Sequence, residues 1–319
     1  MSKQIKILIT GAGGAGTIAI IKSLKWIGGY EIIACDANPN AYGLRIAHHF
    51  HVVPMGNDKD FSYKMRAILE FEKPQYIIPL VDEEIMKFHQ LFWDLKDNWK
   101  LVCPSALFCA IALDKYGTHL ELKKHGLLTP TTMVHRPMKE VVKINHPVIV
   151  KQRKGHGSKG LHYFDNYDLC EDTHPWVTGG NRIIQERIFG TEFTVSVIVG
   201  LDGQLLSIVP KEVIDKRGIT MTGITRNVPE IEEVCKKIVE KMNPMGPFNV
   251  QLMMDKNGLP WIFEINPRYS TTVALTIAAG INEVDAVIKR AEGRQTKKSF
   301  EFIPNMVMNR YYTQDFVRQ

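Results

Sequence analysis

No run of apolar residues in this sequence approaches the roughly 18 that a membrane-spanning helix needs, so no membrane partner is expected. No block of five or more Lys and Arg occurs. The excess of 40 basic over 34 acidic residues, a net charge of +6, is mild and spread along the chain. Nothing in that pattern asks for nucleic acid, whereas a basic surplus suits an anionic small molecule such as a nucleotide. The five cysteines (Cys35, Cys103, Cys109, Cys170, Cys235) are odd in number and none forms a C-x-x-C pair. They read as reduced thiols in a cytoplasmic protein. The first strand signal follows the N-terminus with no signal-peptide pattern. Internal repeats, low-complexity segments, a Walker A order and a convincing Ser-His-Asp or Cys-His arrangement are likewise missing.

What is present is the composition of a globular protein, 45% hydrophobic and 23% charged over 319 residues, long enough for two or three domains or subdomains. Residues 1–110 alternate strand signals (6–10, 31–36, 75–81, 101–104) with helix signals (16–27, 61–71, 83–95). This predicts a small, mostly parallel, doubly wound sheet. Its first turn, ILITGAGGAG at residues 7–16, fits G-x-G-x-x-G, and Asp36 lies about 20 residues on, where a dinucleotide fingerprint places an acid. Locally this reads as an NAD(P)-dependent oxidoreductase.

Beyond residue 110 the pattern changes. A helix over 113–125 closes at Gly126, and strands are expected over 147–152, 181–185, 192–199 and 205–209. A helix over 231–242, a hairpin of 248–254 with 261–265, and helices over 272–280 and 283–293 follow. Together they predict an α+β part with antiparallel sheets.

Three stretches carry chemistry. In PVIVKQRKGHGSKG, a strand delivers Lys151 to a loop with Gly155, Gly157, Ser158 and Gly160. Glycines let backbone N–H groups approach phosphate oxygens, and lysines add point charges; alternatively this is a basic surface hairpin. In RIIQERIFGTEFTVSVIV, the backbone of Glu186, Arg187 and Ile188 is suited to read an adenine, and Glu192 to hold ribose hydroxyls. The alternative there is a plain hairpin whose polar face (Glu192, Thr194, Ser196) is solvated. In FNVQLMMDKNGLPWIFEINPRYS, Glu264 and Asn266 share a strand face and Gln251 sits on the partner strand. Three oxygen-bearing side chains on one face make a site for a hard cation, Mg²⁺ or Mn²⁺. Arg268 follows at once, placed to meet the same phosphates.

The order of these motifs resembles that of ATP-grasp enzymes, most closely the ATP-grasp half of carbamoyl phosphate synthetase large chains. The likeness covers almost the whole chain: the α/β start, ALDKYGTHLELKKHGLLTP, Lys151 with its glycine loop, Q-E-R-I…G-T-E, and Q…E-I-N-P-R. It implies a pre-ATP-grasp α/β domain over 1–110, a small ATP-grasp subdomain over 111–182 and a large one over 183–319. It also implies that Lys115 and Lys151 contact ATP phosphates, with Lys151 and Arg268 acting in catalysis and residues 155–160 closing as a lid. Lys211 and Arg226 are implied to line a substrate cleft. By the same likeness, Gly13, Gly14 and Asp36 become a wall of the acceptor site rather than a cofactor fingerprint. The activity implied is ligation of a small carboxylate to an amine through an acyl phosphate, on amino-acid-like substrates. One ATP-grasp half is too little for carbamoyl phosphate synthesis. Relatives are often dimers, so a homodimer is expected. An ATP-binding module without ligase activity is the alternative, while the oxidoreductase reading leaves the three later stretches unexplained.

Two clusters stand apart. His48, His49 and His51 are metal-like in composition but read rather as a polar connection into a strand at Val52 and Val53. Asp82, with Glu83 and Glu84, either binds a substrate amine or caps the following helix. The segment FIPNMVMNRYYTQDFV is placed to add an edge strand.

Overall fold

A computed structural model describes residues 4–95, 99–134, 142–155, 160–169, 181–294 and 299–316. The chain opens with β1 (Ile5–Thr10), α1 (Ala15–Ile27), β2 (Tyr30–Asp36), α2 (Tyr42–Ile46), β3 (His49–Val52), α3 (Phe61–Glu72), β4 (Tyr76–Ile78), α4 (Asp82–Leu95) and β5 (Lys100–Leu101). The five strands pair in parallel in the order β3-β2-β1-β4-β5. Ile7, Leu8 and Ile9 are all fully buried, which is why β1 reads as a continuous apolar run: both sheet faces are covered. The strand expected over 75–81 is shorter because Pro79 follows it and can donate no ladder bond. Two of the three histidines, His49 and His51, are in the strand itself, while His48 lies in the bend before it. The strand pairs beside β2, with His49 held by Glu31 at 3.0 Å and His51 by Glu72 at 2.8 Å.

Next come α5 (Ala106–Ala112), which the sequence reading missed, and α6 (Lys115–Lys124). They are followed by β6 (Thr132–Val134), β7 (Val142–Ile144), β8 (Val148–Gln152), β9 (His162–Phe164), β10 (Tyr167–Leu169) and β11 (Arg182–Glu186). Among the described residues β6, β11, β8 and β9 form an antiparallel sheet, and β7 pairs with β10.

The rest is β12 (Thr191–Val199), β13 (Leu205–Arg217), β14 (Ile219–Thr225), α7 (Pro229–Met242), β15 (Phe248–Met254), β16 (Pro260–Asn266), α8 (Val273–Ala278), α9 (Glu283–Ala291) and β17 (Val307–Asn309). The strands form one antiparallel sheet in the order β16-β15-β12-β13-β14-β17, with β17 as the expected edge strand. The β15–β16 turn is held by Asp255, whose carboxylate accepts from Asn257 and Leu259 N–H at 2.8 and 2.9 Å.

One face of this larger sheet packs Phe193, Val195 and Val197 under α7 through Ile231, Val234 and Ile238. The other face lies under α8 and α9, whose Val273, Val284 and Val287 share a core with Ile20, Ile21 and Leu24 of α1. The polar face of β12 is therefore buried, not solvated. Thr194 donates to Asn249 at 2.9 Å and Ser196 to Glu283 at 2.7 Å. Alternation along β12 identifies its faces, but only the packing of α8 and α9 buries both.

Candidate functional site

The two antiparallel sheets face each other across a cavity of about 530 Å³. One wall is built by Ile149, Lys151, Tyr163 and residues 185–189; the other by Glu192, Lys216, Gln251, Met253, Phe263 and Glu264; Lys115 closes one end. Six elements widely spaced in sequence thus bring together Lys115, Lys151, Gly155, Glu186, Arg187, Ile188, Glu192, Gln251 and Glu264. Gly157 and Ser158 lie outside the described residues.

Lys115 is the first residue of α6, and the helix start is fixed before it. Asp114 accepts from Tyr116 and Gly117 N–H at 3.1 and 3.2 Å, and Arg153 grips the same carboxylate at 2.7 and 2.5 Å. Lys115 Nζ donates to the Gly155 carbonyl at 2.6 Å and stands 3.7 Å from Glu264. Lys151 projects from β8 over the Phe263 ring, 5.3 Å from its centroid. Burial lowers its ammonium to about 8, against the opposing pull of Glu264.

Strand alternation would send Phe263 and Glu264 to opposite faces. A bulge intervenes, because Gln251 pairs with Glu264 whereas Leu252 pairs with Ile262. The extra residue is Phe263, and both it and Glu264 face the cavity. Asn266 pairs across from Asn249 and lines neither cavity described here; its carbonyl accepts the Arg268 N–H at 2.8 Å. On the opposite wall the Arg187 guanidinium lies between the rings of Tyr163 and Phe189, at 4.8 and 4.7 Å. Lys216, which the sequence reading passed over, bonds Glu192 at 2.5 Å. Register shifts in β13 around Asp215 place it, and no residue pattern signals them.

A second cavity, about 260 Å³, opens at the carboxyl ends of β1, β2 and β4. Residues 14–17, Gly11, Asp36, Leu80 and Val81 line it from the parallel-sheet part, and Arg268, Tyr269, Ser270 and Thr271 from the chain after β16. Gly11 turns the chain at φ +64°, and Gly16 lets the start of α1 approach residue 270: an added Cβ would stand 3.0 Å from the Ser270 carbonyl oxygen. Asp36 is occupied with the loop itself, accepting from Gly13 N–H at 2.7 Å and Asn38 N–H at 2.8 Å. Gly14 lines this cavity and Gly13 does not.

Arg268 reaches back to Asp82, the first residue of α4, at 2.5 and 3.4 Å. Burial opposes the guanidinium charge, yet the Asp82 carboxylate beside it holds the group above its ordinary range. Glu84, two residues further into α4 and buried, is pushed up to about 7 by that burial.

Lys211 and Arg226 line neither cavity. Nor is Lys211 a solvated charge: it is fully buried, donating to Ser196 at 2.6 Å and Thr276 at 2.9 Å. Arg226 is engaged by Glu212 at 2.7 Å and Asn305 at 2.8 Å. No helix among the described residues is long and apolar enough to cross a membrane.

Comparison with known proteins bears on the fold. A family model for the ATP-grasp domain matches residues 112–272, just over half of the chain, and one for a PylC-like N-terminal domain matches residues 7–96. The chain is 23% identical over 302 residues to formate-dependent phosphoribosylglycinamide formyltransferase of Herminiimonas arsenicoxydans, covering 86% of this chain and 70% of the relative. For the enzyme of that name from Methanococcus vannielii the identity is 26% over 302 residues, covering 86% and 73%. Among solved structures, N5-carboxyaminoimidazole synthetase from Staphylococcus aureus complexed with ADP superposes with a TM-score of 0.73 at 18% identity, covering 95% of this chain and 81% of that one. L-amino acid ligase from Bacillus licheniformis gives 0.68 at 16% identity, covering 92% and 77%.

Proposed function

The chain belongs to the ATP-grasp family, and from that premise we propose that it is an ATP-dependent ligase joining a small carboxylate to an amine through an acyl phosphate. The observation that carries this reading is the path of β16. Within five residues it presents Glu264 to the cavity between the antiparallel sheets and Arg268 to the cavity at the parallel-sheet edge. A nucleotide site and an acceptor site then meet at one strand end.

In this reading ATP lies in the larger cavity. Backbone groups of residues 186–188 read the adenine, Glu192 releases Lys216 to take the ribose hydroxyls, and Lys115 and Lys151 neutralise phosphate oxygens. Gln251 and Glu264 suit Mg²⁺: directly opposed across two strands, both offer oxygen to the cavity, the donor type a hard cation takes. Asn266, buried across from Asn249 and lining neither cavity, would join that set only through a shift of its side chain. Mg²⁺ held by these residues would supply positive charge to offset that of the phosphates.

A substrate carboxylate oxygen attacks the γ-phosphorus and the bond to ADP breaks. Arg268 stands where charge develops on the transferred group. The amine nitrogen then attacks the acyl carbon, the carbon–oxygen bond to phosphate breaks, and the nitrogen loses a proton. No protein nucleophile is needed. Gly11, residues 14–17 and Asp36 form the acceptor wall, and Asp82 holds Arg268 in place at its edge.

The relatives named for formate-dependent chemistry and the solved L-amino acid ligase mark the range of carboxylates to try first. The test is ADP release from Mg·ATP with pools of small carboxylates and amines. Release that requires both supports the ligase. ATP binding without turnover in any pool favours the binding module.

A further inference from the structure

Outside the linings of both cavities, three side chains from three segments converge beside β5 of the parallel sheet. His89 stands on α4, two turns beyond Asp82; Cys103 follows β5; Cys109 stands on α5. His89 Nε2, Cys103 Sγ and Cys109 Sγ all lie within 4.8 Å of one another. Nε2 is 3.4 Å from Cys103 Sγ. The Pro104 carbonyl oxygen completes the group, 3.0 Å from Nε2, 3.5 Å from Cys103 Sγ and 3.2 Å from Cys109 Sγ. Both thiols are buried and His89 is half-buried.

We propose that His89, Cys103 and Cys109 form a structural site for one Zn²⁺ ion. Metal–sulfur bonds of about 2.3 Å and metal–nitrogen bonds of about 2.0–2.1 Å at tetrahedral angles put sulfur and nitrogen ligands about 3.6 Å apart and two sulfurs about 3.8 Å apart. His89 Nε2 and Cys103 Sγ, 3.4 Å apart, already stand near that separation, and Cys109 Sγ lies within 4.8 Å of both. Thiolate and imidazole are the ligand types zinc takes.

The charges also close. Two thiolates and a neutral imidazole balance a divalent cation, so the filled site adds no net charge to surroundings that include Ile85, Leu101 and Leu113. Binding releases the two thiol protons to solvent, and the imidazole keeps its hydrogen on Nδ1. The Pro104 carbonyl is the nearest oxygen for a fourth ligand.

The site ties α4 to the turn before α5, where the parallel-sheet part meets the rest of the chain. Ser105 N–H donates to the Pro244 carbonyl at 2.6 Å, and the Gly246 backbone approaches so closely that an added Cβ would fall 2.4 Å from the Cys103 carbonyl oxygen. A metal there braces the helix whose first residue holds Arg268.

The test uses the full-length chain, reduced and stripped of metal, titrated with Co²⁺ and then Zn²⁺. One equivalent of Co²⁺ should give a thiolate-to-cobalt charge-transfer band and the visible bands of a tetrahedral ion, both erased by Zn²⁺. Zn²⁺ should also shield Cys103 and Cys109, and not Cys35 or Cys235, from alkylation read by mass spectrometry. Cys103→Ser and Cys109→Ser should each lose the bands, and His89→Gln should weaken binding. If the serine variants do not fold, the shielding pattern in the unaltered chain decides. Absence of the bands, shielding spread over other cysteines, or a Cys103–Cys109 disulfide in place of bound metal overturns the proposal.

Discussion

Arg268 and Asp82, 186 residues apart, form an ion pair across the join between the two parts of the molecule, with Nε donating to Oδ1 at 2.5 Å. It couples the end of β16 to the start of α4, and its Arg268 lines the smaller cavity. A charged group held in place before substrate arrives needs no reorganisation when charge develops on a transferring phosphoryl group.

Arg268→Ala should therefore lower kcat by ~10²–10³, the cost of removing one positioned donor to a developing charge. The Kd for ATP should stay nearly unchanged, because Arg268 does not line the larger cavity. Steady-state ADP release and direct nucleotide titration separate the two; an equal loss in both would place Arg268 in ATP binding.

Glu264→Ala should abolish measurable turnover, a loss of roughly 100-fold or more if several kcal/mol of metal-assisted stabilisation goes with it. The fold should survive, since Glu264 faces a cavity and its ion pair with Lys115 is a loose 3.7 Å contact. Activity across a Mg²⁺ series, alongside Tm, checks both halves; undiminished activity would sink the metal assignment.

Affinity for ATP should weaken as pH rises. Burial lowers Lys151 to about 8, so the free protein loses this charge above that pH, and only the charged form attracts phosphate. Well above pH 8 the Kd should rise by about tenfold per pH unit, the limit for one required proton. Lys151→Arg, whose charge persists, should flatten that dependence. Calorimetric titration from pH 7 to 10 reads both proteins; a flat profile in the unaltered chain contradicts the role.

Lys211 should prove structural. Its ammonium, lowered to about 8 by burial, is joined to Glu283 through the Ser196 hydroxyl. Lys211→Met leaves Glu283 buried without its counter-charge and should cost about 3–5 kcal/mol. Adding Glu283→Leu should recover much of that loss. Denaturant unfolding of the two single variants and the double variant gives the coupling; additive losses would remove the network.

Much of the chemistry was legible in the chain itself. Period-2 alternation gave the faces of β12, and the buried run at residues 7–9 gave a parallel strand covered on both sides. Spacing put Gln251 and Glu264 opposite each other, because a hairpin's register follows from its turn. Those are local consequences of backbone geometry. The Phe263 bulge, the burial of the Thr194–Ser196 face, the Lys216–Glu192 contact and the meeting of His89 with Cys103 and Cys109 were not legible. Each depends on what a distant segment brings to the same place, and one sequence does not encode that distance.

The same division explains ILITGAGGAG. The sequence determined a tight strand-to-helix turn, because glycine at position 11 tolerates the positive φ that turn takes. Tertiary structure decided what that turn faces. Asp36 is bonded to the turn's own Gly13 amide, and Arg268 closes the cavity from the opposite side. The Lys115–Lys151 cavity, in turn, was assembled from two sheets. A turn fixes its own dihedrals, but the partner across it is set by packing over the whole chain.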